Sequence, residues 1–448
     1  MRKILSKILS QSTKNKYHKI QADWASFRCG KPSRKIKVIG VTGTKGKTTV
    51  CNMIASILDE AGIRNAMETT INTKIGDRLI SHTTKARWVT TPPAAVLQSF
   101  LRQAAREKCR YAILEVTSQA IDQYRTWGIN FDLLVYTNLS HDHLDYHKTK
   151  ENYLAAKLKV FQQNPQARFV INADDAYWNR FYSLSAGDKL LYSIKQSIDH
   201  GAVARKILLG AATATFTVAY DNGQSIIHLS LPGIFNVQNA LAAFCVGRVL
   251  RLDPEKIKAG LEQIKLVPGR MESIRISPKQ NFSVIVDYAH NPDSLKNVYE
   301  AIRDGIKNTE GRLIAVLGAT GRRDKTKRPI MGALAGGYAD LVVFTNEDPY
   351  DEDPATIMEE MAAGIHRGGQ RKYQWHLNRN YWKVLDRTQA IHKAIKEARK
   401  NDVVVITGKG AEEVMAVGQD KFVPFSDRAV VRQELLMRFP VTNGQQTS

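Results

Sequence analysis

The segment Lys37–Thr49, KVIGVTGTKGKTT, constrains this chain most. An apolar strand runs into a loop with two glycines, and Lys-Thr-Thr opens a helix. In that helix Val50, Met53, Ile54, Ile57 and Leu58 recur at helical spacing, and Gly62 is placed to stop it. Such a unit presents successive backbone N–H groups and a helix N-terminus to phosphate oxygens. Lys47 would reach the β and γ phosphates of a nucleotide, and the Thr48 hydroxyl would ligate Mg²⁺. The strict Walker pattern wants glycine where this chain has Val41, so the loop is a variant.

The chain is 448 residues, enough for two or three domains. It is 43% hydrophobic and 24% charged, a globular composition. No apolar run approaches the roughly 18 residues needed to span a bilayer. The N-terminus lacks a signal-peptide core and a small-residue cleavage site, so a cytoplasmic protein without a transmembrane segment is expected. Cys29, Cys51, Cys109 and Cys245 fit neither a zinc site nor a disulfide framework, in keeping with a reducing compartment. The net charge of +22 points to polyanionic partners: nucleotides, phosphorylated substrates or nucleic acid. Residues 1–37 hold eleven Lys/Arg and one acid, Asp23, which fits a solvated basic tail or a contact with phosphates or a membrane surface.

The pattern predicts an α/β protein in three parts. Residues 1–36 are a basic extension with a short amphipathic helix at most. Residues 37–270 form a central, parallel-sheet ATP-binding domain around the phosphate loop, with strands at Tyr111–Val116, Leu133–Thr137 and Phe169–Asn172. Within it, residues 186–232 carry short β-rich pieces that look antiparallel, a helix follows over about Val237–Leu250, and Val267–Gly269 is a linker. Residues 271–448 are a second, Rossmann-like domain with strands at Ser283–Asp287, Leu313–Leu317, Leu341–Thr345 and Asp402–Thr407.

Polar motifs follow these strands. Glu115 ends YAILEV, and a carboxylate at the carboxyl end of a parallel strand faces the ligand crevice, where it is a candidate Mg²⁺ ligand. The cluster His141-Asp142-His143-Leu144-Asp145-Tyr146-His147 has no Cys nearby and no HExxH pattern. A hard Mg²⁺ held with one imidazole is the more economical reading than a transition metal, and a surface polar loop is the other. Asp287-Tyr288-Ala289-His290-Asn291-Pro292 offers Tyr288 or His290 to an adenine, or is simply a capped turn. The glycine turns Gly318–Lys325 and Gly408–Glu412 place a ligand at the crevice of the second sheet.

In this order, TGTKGKTT, LEVTSQ, NLSHDHLDYH, YLAAK, NADD, GIFNVQNALAA, PGRME, DYAHNPDSL, GRRDKTKRP, GKGAEE and PFSD, the motifs resemble the Mur ligase superfamily of ATP-dependent amide-bond-forming ligases. The branch most resembled is that of the UDP-N-acetylmuramoyl-tripeptide synthetases (MurE type). The resemblance implies that Gly43, Thr44, Lys45, Gly46, Lys47, Thr48 and Thr49 bind ATP, with Lys47, His143 and Lys157 at the chemistry. It implies Mg²⁺ ligands at Thr48, Glu115 and His143, and at Lys157 carried as a carbamate, which turns a repelling ammonium into a carboxylate-like ligand. Asn236, Asn239 and Arg270 match nucleotide contacts, and Asp287, Tyr288, His290, Arg323 and Asp324 match positions where the C-terminal domain closes over ATP. Thr90, Thr91, Ser118, Gln123 and Arg125 match contacts to a muramoyl-peptide acceptor; Asp348, Tyr350, Gly408 and Glu412 match the place of the incoming amino acid.

Three departures stand out. MurE-type enzymes usually carry an N-terminal domain for the uridine nucleotide, and only about 36 residues precede the ATP strand here. The diaminopimelate-selecting segment of the family reads Asp-Asn-Pro-Arg, whereas this chain has Glu347-Asp348-Pro349-Tyr350 followed by more acids. Family histidines are replaced by Gln119 and Ala411. The expectation is an ATP-dependent acid–amino-acid ligase, adding lysine or diaminopimelate to a UDP-N-acetylmuramoyl-dipeptide through an acyl phosphate. Its partners would be ATP, Mg²⁺, the acceptor and a free amino acid, with a monomer as the default and no nucleic acid. A folylpolyglutamate-type ligase is the alternative within the class, and a nucleic-acid-dependent P-loop ATPase the alternative outside it.

Overall fold

The computed structural model describes residues 11–81, 90–140, 144–210, 213–221, 223–367, 374–418 and 421–440. In chain order the first part comprises α1 (Gln11–Arg28), β1 (Lys37–Thr42), α2 (Lys47–Glu60), β2 (Asn65–Glu68), β3 (Asn72–Ile75), β4 (Arg78–Ser81) and α3 (Ala94–Arg106). β5 (Tyr111–Val116), α4 (Ser118–Asp122), β6 (Leu133–Tyr136), α5 (Leu144–His147), α6 (Lys150–Gln162), β7 (Arg168–Asn172), α7 (Trp178–Tyr182) and β8 (Lys189–Ser193) follow. β9 (Gly201–Leu209), β10 (Ala214–Tyr220), β11 (Gly223–Leu229), α8 (Ile234–Val249) and α9 (Pro254–Gln263) complete it.

All eleven strands join one sheet, ordered β11-β10-β9-β8-β7-β6-β1-β5-β2-β3-β4. β1 lies inside it, parallel to β5 on one side and to β6 on the other, with Thr42 opposite both Val116 and Tyr136. The chain therefore changes direction of winding at β1, and the carboxyl ends of three strands open a crevice there. β1 is buried on both faces, which explains its unbroken apolar run. Ile39 and Val41 pack with α2 and α8, and Val38 packs on the opposite face with Leu134 and Phe169.

Two expectations need correction. Of the strands within residues 186–232, β9, β10 and β11 pair antiparallel, but β8 continues the parallel sheet beside β7, and β9 pairs parallel with β8 before the chain reverses. The extension is not a tail with a short helix. α1 runs for 18 residues and lays Ala22, Ala25 and Ser26 against the domain, with α3 as a neighbour. Asp23 accepts a hydrogen bond from Trp127 Nε1 at 2.7 Å, and the Ser26 hydroxyl donates to the Gly128 carbonyl at 3.3 Å.

The second part comprises β12 (Glu272–Ser273), β13 (Ser283–Asp287), α10 (Pro292–Ile306), β14 (Leu313–Leu317), α11 (Lys327–Tyr338), β15 (Leu341–Thr345), α12 (Pro354–Ala362) and β16 (Tyr381–Val384). It ends with α13 (Arg387–Glu397), β17 (Val403–Thr407), β18 (Val414–Ala416), β19 (Phe422–Pro424) and α14 (Asp427–Arg438). Its sheet runs β12-β13-β17-β14-β15-β16, parallel except for β12. The expected linker is a tight turn in which Val267 bridges to Arg270. Gly269 there has φ +63°, and a Cβ would lie 2.1 Å from the Ala411 nitrogen, so the crossing between the sheets is packed against the Gly408–Glu412 turn.

Candidate active site

The phosphate loop fills the end of β1. Gly43 has φ +154°, and a Cβ would stand 1.9 Å from the Thr137 hydroxyl at the end of β6. Gly46 caps α2 at φ +83°, and a Cβ there would meet Asn239 Oδ1 at 2.3 Å. Both glycines are thus required by close approach. Asn239 also donates to Asn236 Oδ1 at 3.1 Å, so the two predicted nucleotide contacts on α8 form one pair under the loop. Lys47 Nζ donates to the carbonyls of Gly43 (3.1 Å) and Thr44 (2.9 Å), so this side chain braces the loop as well as carrying charge. The Lys45 amide donates to Asn138 Oδ1 at 3.0 Å.

The Thr48 hydroxyl donates to Glu115 Oε2 at 2.9 Å. The same oxygen accepts from the Thr70 amide (2.9 Å) and hydroxyl (3.0 Å). Thr70, in the turn between β2 and β3, belongs to no motif and is an unexpected member of the site. Lys157, on α6 and almost fully buried, donates to the Gly43 carbonyl at 2.8 Å and lies 4.7 Å from the centre of the Tyr153 ring. The Tyr153 hydroxyl is 3.0 Å from the Thr44 hydroxyl. Thr48, Glu115 and Lys157 thus converge on the loop; His143 lies outside the described residues. A carboxylate and hydroxyls are hard oxygen donors and fit Mg²⁺, which needs few protein ligands when phosphates supply others. Among the described residues no three His, Cys, Asp or Glu side chains converge as a transition-metal site would require.

The expected acceptor contacts lie beside the end of β5. The Thr91 hydroxyl donates to the Glu115 carbonyl (2.9 Å) and accepts from the Thr117 amide (3.0 Å). Thr90, next to it, is half-buried. Arg125 donates to the Thr91 carbonyl (2.7 Å) and twice to Gln123 Oε1 (3.0 and 2.6 Å). The Ser118 hydroxyl is 2.9 Å from His147 Nε2. Behind this group Asp122 accepts from Tyr146 (2.9 Å), Lys159 (3.0 Å) and Asn15 of α1 (3.4 Å). Sequence reasoning missed Asp122, Tyr146, His147 and Tyr153 as supports. The last three stand inside motifs that drew attention for other residues.

On the second sheet, Asp287 ends β13 and accepts from the amides of Met271 and Ala289, each at 2.7 Å. Burial raises its carboxyl pKa, while Arg270 and Lys45 of the phosphate loop pull the other way. Asp287 therefore lies within electrostatic reach of the loop. The Arg270 guanidinium stands 4.4 Å from the centre of the Tyr288 ring, and His290 meets that ring edge-on and contacts the Tyr288 carbonyl at 2.8 Å. Asp324 instead caps a turn through Thr326.

Lys409 organises the remaining cluster, donating to both oxygens of Asp348 (2.8 and 2.9 Å) and to Glu412. Burial alone would lower the pKa of Lys409, but Glu412 and Asp348 raise it. Glu347 and Glu412 are raised, chiefly by burial. Gly408, at φ +115°, leaves room for Glu347, whose Oε2 would be 2.3 Å from a Cβ there. Tyr350 adopts φ +52°, with the Arg322 guanidinium 5.8 Å from its ring centre, and Arg323 lies within electrostatic reach of its hydroxyl.

Residues 41–247 match the family model of the Mur ligase middle domain, and residues 269–410 that of the Mur ligase glutamate ligase domain. A Syntrophomonas wolfei protein named UDP-N-acetylmuramoyl-L-alanyl-D-glutamate–2,6-diaminopimelate ligase is 38% identical over 411 residues, covering 91% of this chain and 79% of the relative. A solved structure with the same name superposes with a TM-score of 0.63 at 32% identity, over 91% of this chain and 79% of the other. A Mycobacterium tuberculosis folylpolyglutamate synthase superposes with a TM-score of 0.69 over 95% and 96% of the two chains, but at 17% identity this is a likeness of fold alone.

Proposed function

Since the chain belongs to the Mur ligase family, ATP-dependent and ADP-forming ligases, we propose that it joins an amino acid to a UDP-N-acetylmuramoyl-dipeptide of peptidoglycan synthesis. The observation that carries this reading is the convergence of Thr48, Glu115 and Lys157 on a phosphate loop that lies within the stretch matching the Mur ligase middle domain. The acceptor carboxylate attacks the γ-phosphorus of ATP; ADP leaves, and an acyl phosphate remains. The amine of the incoming amino acid then attacks the acyl carbon and displaces phosphate, giving the amide and releasing a proton.

Each step divides among residues of this chain. The loop amides and Lys47 hold the transferred phosphoryl and neutralise charge as it develops. Mg²⁺ held by Thr48, Glu115, His143 and a carbamylated Lys157 would supply further neutralisation of the phosphate oxygens. Thr90, Thr91, Ser118, Gln123 and Arg125 orient the acceptor carboxylate toward the loop, converting an encounter into an in-line arrangement. Asn236, Asn239, Arg270, Asp287, Tyr288 and His290 close around the nucleotide and exclude water. Asp348, Tyr350, Gly408 and Glu412 receive the amino acid; lysine and diaminopimelate are the two candidates.

The test is ADP release with UDP-muramoyl-dipeptide against a panel of amino acids. Release should require ATP, acceptor and one amino acid together. Release driven by a folate and glutamate, or by RNA or DNA, would replace this reading.

A further inference from the structure

One feature of α1 is used by none of this chemistry. Tyr17, Ile20, Trp24 and Phe27 are 55%, 68%, 60% and 74% exposed. Their spacing of three, four and three residues places them in one stripe, within an arc of roughly 80°. The buried Ala22, Ala25 and Ser26 centre on the opposite side, so the helix has an inner face for the domain and an outer apolar face for something else.

The charge around the stripe selects the occupant. Lys14, Lys16, Lys19 and Arg28 lie on α1, and Lys31, Arg34, Lys35 and Lys37 follow it; the one acid of residues 11–37, Asp23, is engaged by Trp127. The Arg28 guanidinium lies 5.0 Å from the centre of the Trp24 ring. Aromatic side chains beside Arg and Lys suit the boundary between lipid headgroups and acyl chains. No helix among the described residues is long and apolar enough to cross a membrane, so α1 would lie in the surface plane. A second copy of the chain is disfavoured, because it would bring two strongly basic segments together.

We propose that the outer face of α1 docks the protein on an anionic lipid bilayer. The inner face of the same helix braces the segment that carries Gln123 and Arg125, through Asn15 on Asp122 and Lys19 over the Trp127 ring at 4.4 Å. Docking would therefore hold the acceptor-side residues near the membrane.

The full chain should co-sediment with phosphatidylcholine vesicles containing phosphatidylglycerol and not with phosphatidylcholine alone. Partitioning should fall about tenfold or more between low salt and roughly 0.5 M salt, as an electrostatic contribution requires. Trp24→Ala with Phe27→Ala should lower it about tenfold or more, and Tyr17→Ser with Ile20→Ser should do likewise. Both double variants should keep the wild-type turnover in solution, showing that the fold is intact. Equal partitioning of variants and wild type, or no binding to anionic vesicles, overturns the proposal. So does a solution dimer, seen by sedimentation equilibrium, that the same substitutions dissolve.

Discussion

The Thr48 hydroxyl and the Glu115 carboxylate meet at 2.9 Å, joining the first turn of α2 to the end of β5. The bond exists because β1 and β5 are parallel neighbours with Val41 opposite Glu115, which brings loop and strand end to one level. Glu115→Gln keeps the shape but removes the charge. It should lower ligation by about two orders of magnitude or more and raise the Mg²⁺ concentration needed for half-maximal rate. A Mg²⁺ titration of ADP release checks this; an unchanged titration would remove Glu115 from the metal site.

Lys47→Ala should abolish ligation and ATP turnover together, by about a hundredfold or more, because one electrostatic stabiliser is lost. The two loop hydrogen bonds of Lys47 add a cost of about 1–2 kcal/mol in stability. Chemical denaturation alongside kinetics separates these effects. Near-normal turnover would end the phosphate-loop assignment.

Lys157→Ala should be nearly inactive, and added formate or acetate should restore part of the rate. The small acid would occupy the place of the proposed carbamate beside the Gly43 carbonyl. If Lys157 acts only as an ammonium bracing that carbonyl, small acids should rescue nothing, and methylammonium would be the agent that helps.

Local patterns make much of this site legible. The two glycines, the β-branched strand and the helical period of α2 are adjacent along the chain, so local sequence suffices to place the loop. It does not suffice for Thr70, whose link to Glu115 depends on where the β2–β3 turn folds back. The parallel pairing of β8 is hidden for the same reason: pairing direction is set by distant partners, not by the strand's own residues. The length of α1 is obscured because its packed face is built from alanine and serine, while its aromatics face away.

Asp122 should act as a positioning residue. Burial opposes its ionisation, but hydrogen bonds from Lys159 and Tyr146 hold its pKa below the usual value. A depressed folded pKa contributes stability above the unfolded carboxylate range, and that contribution is lost as pH falls through the folded value. Asp122→Asn should therefore flatten the acid side of the stability profile relative to wild type. Because Tyr146 also contacts Gln123 at 3.3 Å, the variant should raise the KM for the acceptor about tenfold while leaving the KM for ATP unchanged. Equal changes in both KM values would indicate general loosening instead.

Tyr350 stands where diaminopimelate-selecting relatives are expected to place arginine, so a distal carboxylate would meet no guanidinium at that position. Four of the nearby cations are engaged: Lys325 with Glu352 at 3.1 Å, Arg328 with Glu352 and Glu360, Lys409 with Asp348 and Glu412, and Arg322 with Asp351 at 2.6 Å. Drawing one of them to the substrate would break an existing ion pair, and losing bidentate pairing would cost about 1–3 kcal/mol, roughly ten- to hundredfold in affinity. Both amino acids carry a distal ammonium, but lysine brings no second carboxylate to this acidic segment. Lysine should therefore be used with a kcat/KM at least equal to that of meso-diaminopimelate when the two are measured side by side. A clear preference for diaminopimelate would assign its carboxylate to another cation. Arg323, within electrostatic reach of Tyr350, would then be the first to test, and Arg323→Gln should abolish the preference.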